Sequence, residues 1–243
     1  MKTFDRLFAE AVPLIQQGLH ERESRPVDGG RWPVTVVLRP DHPSAERLEQ
    51  AMTEVEGLAG PGHFRTGIGG SVHFTVRVLE RYRDVIGEDD AAVQRYARAM
   101  SRAAGEVEEI ELDLVGVTLT PGSVMVCALP ADDNANRLME LLNEELGDDA
   151  WREAGFRRDI WYANILHFAA DIAQPTELIE WVAQRRGLAM GRAVMGTAEL
   201  VRFRYEEGAH GRLMRPEVLA QARLGRIWCR PVSWGSTWEG GSV

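Results

Sequence analysis

The sequence predicts an α+β fold with mixed or antiparallel sheets, on three observations. Short β-branched or alternating segments are interleaved with segments whose apolar residues recur at helical spacing. The stretch EIELDLVGVTLTPGSVMVCALP reads as two strands turning at Pro121-Gly122, a hairpin that an all-parallel sheet would not contain. The second half of the chain then repeats the helix–strand order of the first.

Taken in order, Phe4, Leu7, Phe8, Val12 and Ile15 share a helical face, so the chain opens with an amphipathic helix in which Pro13 marks a candidate kink. Residues 25–32, RPVDGGRW, form a loop leading into PVTVVLRP, a strand closed by Pro40. Pro43-Ser44 opens a helix carrying Leu48, Met52 and Val55, which Gly57 and Gly60 end. Gly67, Gly69 and Gly70 form a turn before a strand over 71–79, and a helix follows over 89–105. After the hairpin come a helix over 133–146, a strand over 163–171, a helix from Pro175 to Gly187, and a last long strand, TAELVRFRYEE. Residues 226–243 hold Trp228, Trp234 and Trp238 among Gly, Ser and Pro, an irregular tail packing back on the body.

Composition narrows the function. With 28 Lys+Arg against 37 Asp+Glu, the formal charge is −9, which disfavours bulk binding to long nucleic acid but leaves room for a local site for one phosphate. Cys127 and Cys229 have no zinc or disulfide-framework spacing, and no metal-ligand spacing links His20, His42, His63 and His210, so neither metal nor cofactor is expected. Asp5 and Glu10 interrupt the apolar run that a secretory signal needs, and no window approaches the roughly 20 apolar residues of a membrane span. The expected setting is the cytoplasm, away from membranes.

Among six histidines, only His73 and His167 fall within predicted strands, in matching frames, SVHFTV and NILHFAA. Strict alternation puts His73, Thr75 and Arg77 on one face, and likewise His167, Ala169 and Asp171. Two facing imidazoles suit phosphodiester chemistry, one taking a proton from the attacking oxygen while the other protonates the departing one. A hydroxyl two residues on can donate to a non-bridging phosphate oxygen. Arg77 and Tyr162 are candidate substrate contacts, set against the commoner salt-bridged role of a strand-end Arg and the core role of a strand aromatic. The glycines at 67–70 form no phosphate loop, because a strand follows them where a helix is needed.

The doubled motif and its flanking strand–helix order resemble the two-histidine phosphoesterase superfamily, which includes 2′-5′ RNA ligase-like proteins and cyclic nucleotide phosphodiesterases. The resemblance spans about residues 33–208, leaving the helix within 1–24 and the 226–243 tail outside, in one bilobal domain over 1–243. It implies two pseudo-symmetric lobes around a central groove, with His73, Thr75 and His167 catalytic. His73-Phe74-Thr75 fits the family motif fully, whereas Ala169 stands where the second motif carries Thr or Ser. The implied partner is a small 2′,3′-cyclic or 2′-5′-linked nucleotide or a short RNA end, with position 169 beside it. The rival readings are a nucleotide-binding module without turnover, and a histidine pair reused for proton transfer on a non-phosphate metabolite.

Overall fold

The computed structural model describes residues 2–153, 155, 160–208 and 211–225. The tail at 226–243 and His210 lie outside the described residues.

The strands β1 (Val34–Leu38), β2 (Phe64–Arg65), β3 (Phe74–Glu80), β4 (Ile110–Thr120), β5 (Ser123–Pro130), β6 (Trp161–His167), β7 (Arg192–Met195), β8 (Thr197–Gly208) and β9 (Gly211–Arg223) form one sheet in the order β3-β1-β8-β9-β2-β6-β5-β4-β7. Every pairing is antiparallel except the parallel contact of β2 with β9 at Phe64 and Arg212. The α+β class with a mixed sheet therefore holds. The two halves are not closed separately: β2, two residues long, joins a β3-β1-β8-β9 half to a β6-β5-β4-β7 half.

Helices α1 (Lys2–Gln16), α2 (His42–Ala59), α3 (Ala91–Gly105), α4 (Asn134–Leu146) and α5 (Pro175–Arg185) match the helices expected from spacing. Their ends follow local chemistry. Pro43 sits in the first turn of α2, and Asp90 caps α3 by accepting from the amides of Ala92 and Val93. Arg83 also pairs with Asp90, and together these donors hold its carboxyl down at about 2. The helices contribute Leu48, Met52, Met100 and Leu142 to a large core shared with Val36 and Leu38 of β1. Val37, between them, points the other way and packs with Trp32, Phe64, Tyr82, Val201, Phe203 and Met214 in a smaller cluster. Helices thus cover one face of the sheet, and the smaller cluster marks the other.

Three strands escaped the sequence reading. β2 and β7 are too short to show a period, and β9 follows β8 almost at once and carries Pro216, which reads as a breaker.

The strands expected at 71–79 and 163–171 are displaced at the ends that matter. β3 begins at Phe74, so His73 lies just before it, and β6 ends at His167 itself. Both strands also carry extra residues. Against β1, the register of β3 skips Val76 and Leu79, and against β5, that of β6 skips Ile165.

Gly67 fixes the approach of α2 to that last irregularity. Its N–H donates to the Ile165 carbonyl at 2.8 Å. A Cβ at this position would stand 2.8 Å from Met52 Cβ and 3.0 Å from Ile165 Cβ. We therefore expect Gly67→Ala to force α2 away from β6 and to cost about 1–3 kcal/mol. Chemical denaturation measures it, and an unchanged midpoint would mean that α2 yields freely.

Candidate active site

His73 is placed by the turn that precedes it. The amides of Ser71 and Val72 both donate to the Ile68 carbonyl, closing the glycine-rich turn. Arg39, ion-paired to Glu199 at 2.9 Å, reaches the Val72 carbonyl. The imidazole Nδ1–H of His73 then donates to the Ser71 carbonyl at 2.7 Å, which leaves Nε2 as the lone-pair nitrogen of the neutral ring.

His167 sits where three strands meet, opposite Phe64 of β2 and Ser123 of β5. The chain beyond it is pinned at Phe168, whose N–H donates to the Gly122 carbonyl and whose carbonyl accepts from the Glu23 amide. Two buried histidines that the sequence placed in helix-end or loop positions, His20 and His63, set their rings edge-on to Phe168 with centroids at 5.5 and 5.8 Å. His63 also accepts the Ala169 N–H at Nδ1 and contacts the Ala59 carbonyl through Nε2. These two rings hold the strand end; they do not line the cavity described next.

His73, Thr75, Tyr162 and His167 line a single open cavity of about 540 Å³. The irregularities decide which residues reach it. On the β3 side the cavity residues are His73, Thr75, Val78 and Arg81, and on the β6 side Tyr162, Asn164 and His167. Each change from a spacing of two to a spacing of three coincides with an extra residue in the ladder.

Two expectations fail, each at a place where regular alternation stops. Arg77 does not share the His73 face, because Val76 shifts the parity. It is 2% exposed, and its guanidinium donates to the carbonyls of Ala150 and Glu153 at 3.1 and 3.0 Å. It anchors the short 3₁₀ helix Gly147–Glu153, which carries Arg152 and Glu153 to the cavity rim. Ala169 does not extend the His167 face, because the strand has ended; it packs beside the smaller cluster and is absent from the cavity lining. Asp171 pairs with Arg22 on the surface.

The sequence reading missed the loop side of the cavity. Glu23, Arg31 and Trp32 come from segments with no periodic signal, although DGGRW does concentrate turn formers next to an aromatic. Arg31 pairs with Glu23 at 3.1 Å, and burial raises the Glu23 carboxyl above its usual range despite that partner. The Trp32 and His167 rings meet edge-on with centroids 4.9 Å apart, and those of Phe203 and His73 are 5.1 Å apart. Asn164 belongs to no motif in the sequence and was not singled out; in a regular strand it would lie on the face opposite His167.

This architecture recurs in solved structures of low sequence identity. A crystal structure of TT0787 of Thermus thermophilus matches with a TM-score of 0.55 at 17% identity, over 79% of this chain and 97% of that one. E. coli LigT in its apo form matches with a TM-score of 0.51 at 12% identity, over 79% of this chain and 97% of that one. E. coli LigT complexed with phosphate gives a TM-score of 0.51 at 14% identity, again over 79% and 97%. The fold is LigT-like. No protein-family model and no curated protein matches the chain. Among the described residues no helix is long and apolar enough to cross a membrane, and no group of three or more His, Cys, Asp or Glu is placed to hold a metal ion.

Within this LigT-like sheet both cavity imidazoles are held neutral. Burial pushes His73 down to about 4, against the pull of the Ser71 carbonyl, and pushes His167 down to about 3, helped by the nearby Arg31 and by His73. In the unfolded chain each ring charges near its ordinary value of about 6.5. Below that pH the unfolded state binds more protons, so stability falls as the solution is acidified. We expect denaturation midpoints to drop as pH falls from about 6.5 towards 4, and His73→Gln or His167→Gln to flatten that drop. Ring ¹⁵N shifts recorded at about pH 5 should report neutral imidazoles at both positions, above their values of about 4 and about 3. Charged rings at that pH would contradict the burial described here.

Proposed function

We propose that the protein is a metal-independent phosphoesterase that opens a 2′,3′-cyclic or 2′-5′ phosphodiester of a small nucleotide or RNA end. The observation that carries this reading is the convergence of His73, Thr75 and His167 on one cavity. In the reaction a water oxygen forms a bond to phosphorus as one ester P–O bond breaks. The neutral imidazole takes the water proton while the other, as imidazolium, protonates the departing ribose oxygen. Solvent exchange then restores the starting protonation. Paired imidazoles supply both proton transfers without requiring a metal ion.

Protonation of one ring follows from the substrate. Desolvation keeps both imidazoles neutral in the empty cavity, and a phosphodiester anion between them supplies the opposite charge that favours imidazolium. Arg31, Arg81 and Arg152 at the cavity wall favour an anionic ligand, and Tyr162 offers a ring on which a base can stack. The Thr75 hydroxyl is the donor to a non-bridging oxygen on the His73 side. E. coli LigT, which shares the fold, has been crystallised with 3′-AMP and with phosphate, ligands of the size this cavity would hold. The Ala169 departure favours a second reading, a nucleotide-binding module that does not turn its ligand over.

The test is hydrolysis of adenosine 2′,3′-cyclic phosphate and of 2′-5′-linked ApA. We expect His73→Gln and His167→Gln each to cut turnover by roughly 10²–10⁴-fold, since that is what general acid–base groups contribute. The melting temperature should hold near that of the parent at neutral pH. Binding without turnover in the parent would favour the module, and failure of every phosphate ligand to bind would favour a non-phosphate metabolite.

A further inference from the structure

Among the described residues, the His167 side of the cavity has no Ser or Thr hydroxyl to match Thr75 on the His73 side; its hydroxyl is the Tyr162 phenol. Thr75 stands in the cavity wall with no hydrogen-bond partner among the described residues, whereas Ala169 has left the wall. Thr35, also in the wall, has its hydroxyl committed to the Arg77 carbonyl at 2.7 Å. On β6 the polar side chains that reach the cavity besides His167 are Tyr162 and Asn164.

Asn164 is oriented. Its Oδ1 accepts the Ser123 hydroxyl at 2.9 Å, and Ser123 Oγ in turn lies 2.8 Å from the Thr120 hydroxyl. Ser123 spends its one hydroxyl proton on Asn164, so Thr120 donates to Ser123, while Thr120 accepts the Gly122 N–H at 3.2 Å. This chain of bonds starts in the tight β4–β5 turn, and Ser123 is the residue opposite His167 in the ladder. With Oδ1 committed, the carboxamide turns its Nδ2 donors away from the turn, and they have no partner among the described residues. The extra residue Ile165 places this amide and the His167 ring on the same wall.

We propose that the Asn164 carboxamide, aimed by Ser123, donates to the phosphoryl oxygen on the His167 side of the cavity, in place of the hydroxyl missing at position 169. The inference rests on the phosphoesterase reading and adds a residue to it. An amide fixed before substrate arrives stabilises charge that grows in the transition state without reorganising at that moment. Ser123 is a positioning residue, acting only through Asn164.

The experiment compares the parent with Asn164→Leu, Asn164→Asp and Ser123→Ala, using adenosine 2′,3′-cyclic phosphate for turnover and inorganic phosphate for binding. Loss of one aimed donor lowers kcat by about 10²–10³-fold in a protease whose oxyanion donor is also an Asn side chain. We expect a fall of that order in both Asn164 variants, with KM changing far less, and a smaller fall in Ser123→Ala. The side-chain amide signals of Asn164 should shift when phosphate is added to the parent. A purely structural Asn164 would lower the melting temperature and leave kcat alone. Retention of kcat within about threefold in Asn164→Leu, on a scale where a donor is worth about 10²-fold, together with unmoved amide signals, would overturn the assignment while leaving the phosphoesterase intact. A parent that neither hydrolyses the cyclic phosphate nor binds phosphate would overturn both.

Discussion

Alternation along a β-strand is the constraint on which the cavity depends, and it is the breaking of that alternation that builds the site. A regular β3 would carry His73, Thr75 and Arg77 along one face, driving a guanidinium into the space between the histidines. Val76 and Leu79, as extra residues, turn Arg77 into the body and bring Val78 and Arg81 round instead. A regular β6 would put Asn164 and His167 on opposite faces, and Ile165 reconciles them. Bulges of this kind bend a strand and re-aim its side chains, which suits them to the edges of sites. The buried Arg77 then has a separate task, capping the carbonyl end of the 3₁₀ helix that delivers Arg152 and Glu153 to the rim.

The electrostatics follow from the same placement. Both imidazoles lie at the ends of their strands but within the sheet's envelope, so they lose solvent and stay neutral well below ordinary pH. Arg31 pushes His167 further in that direction, and Arg39 does the same to His73. These cations oppose imidazolium when the cavity is empty and would screen a bound anion once it is filled. On the phosphoesterase reading proposed above, a ring nitrogen that is hard to protonate alone and easier to protonate beside a phosphate would couple the acid form to occupancy. Catalytic groups are commonly tuned by such opposed environments.

Much of the fold was legible because its elements are long and periodic. All five helices and the β4–β5 hairpin follow from apolar spacing and from Pro and Gly placement. The histidine pair was legible too, because a polar ring inside an apolar run stands out in both halves. What escaped depended on register, which is a property of two strands at once and is absent from either alone. The single-residue insertions at Val76, Leu79 and Ile165 exist only relative to β1 and β5. Arg77 was therefore assigned by a parity that the folded β3 does not keep. Asn164 was not singled out because its place beside His167 depends on the extra Ile165, and Ala169 left the face because β6 ends at His167. The junction strand β2 was invisible for a related reason: two residues carry no period, and their pairing is dictated by β6 and β9.

Trp32 shows how the loop side completes what the strands begin. It is a non-glycine residue in the left-handed region, at φ 66°, a conformation that costs roughly 1–2 kcal/mol. Its indole N–H is buried with no hydrogen-bond partner among the described residues, which costs about 1–3 kcal/mol more. The loop enforces the conformation through Tyr82, whose carbonyl accepts the Gly29 N–H and whose N–H reaches the Gly30 carbonyl. In return the ring packs edge-on against His167, Phe64 and Phe203 at 4.9, 5.9 and 5.6 Å. That places one aromatic against the cavity imidazole, the junction strand and the β8 side of the sheet together. Strain of this kind persists only where the surroundings over-determine it, and it gathers at functional sites. Here it falls on the residue packed against His167, and hence on the desolvation that keeps that ring neutral in the empty cavity.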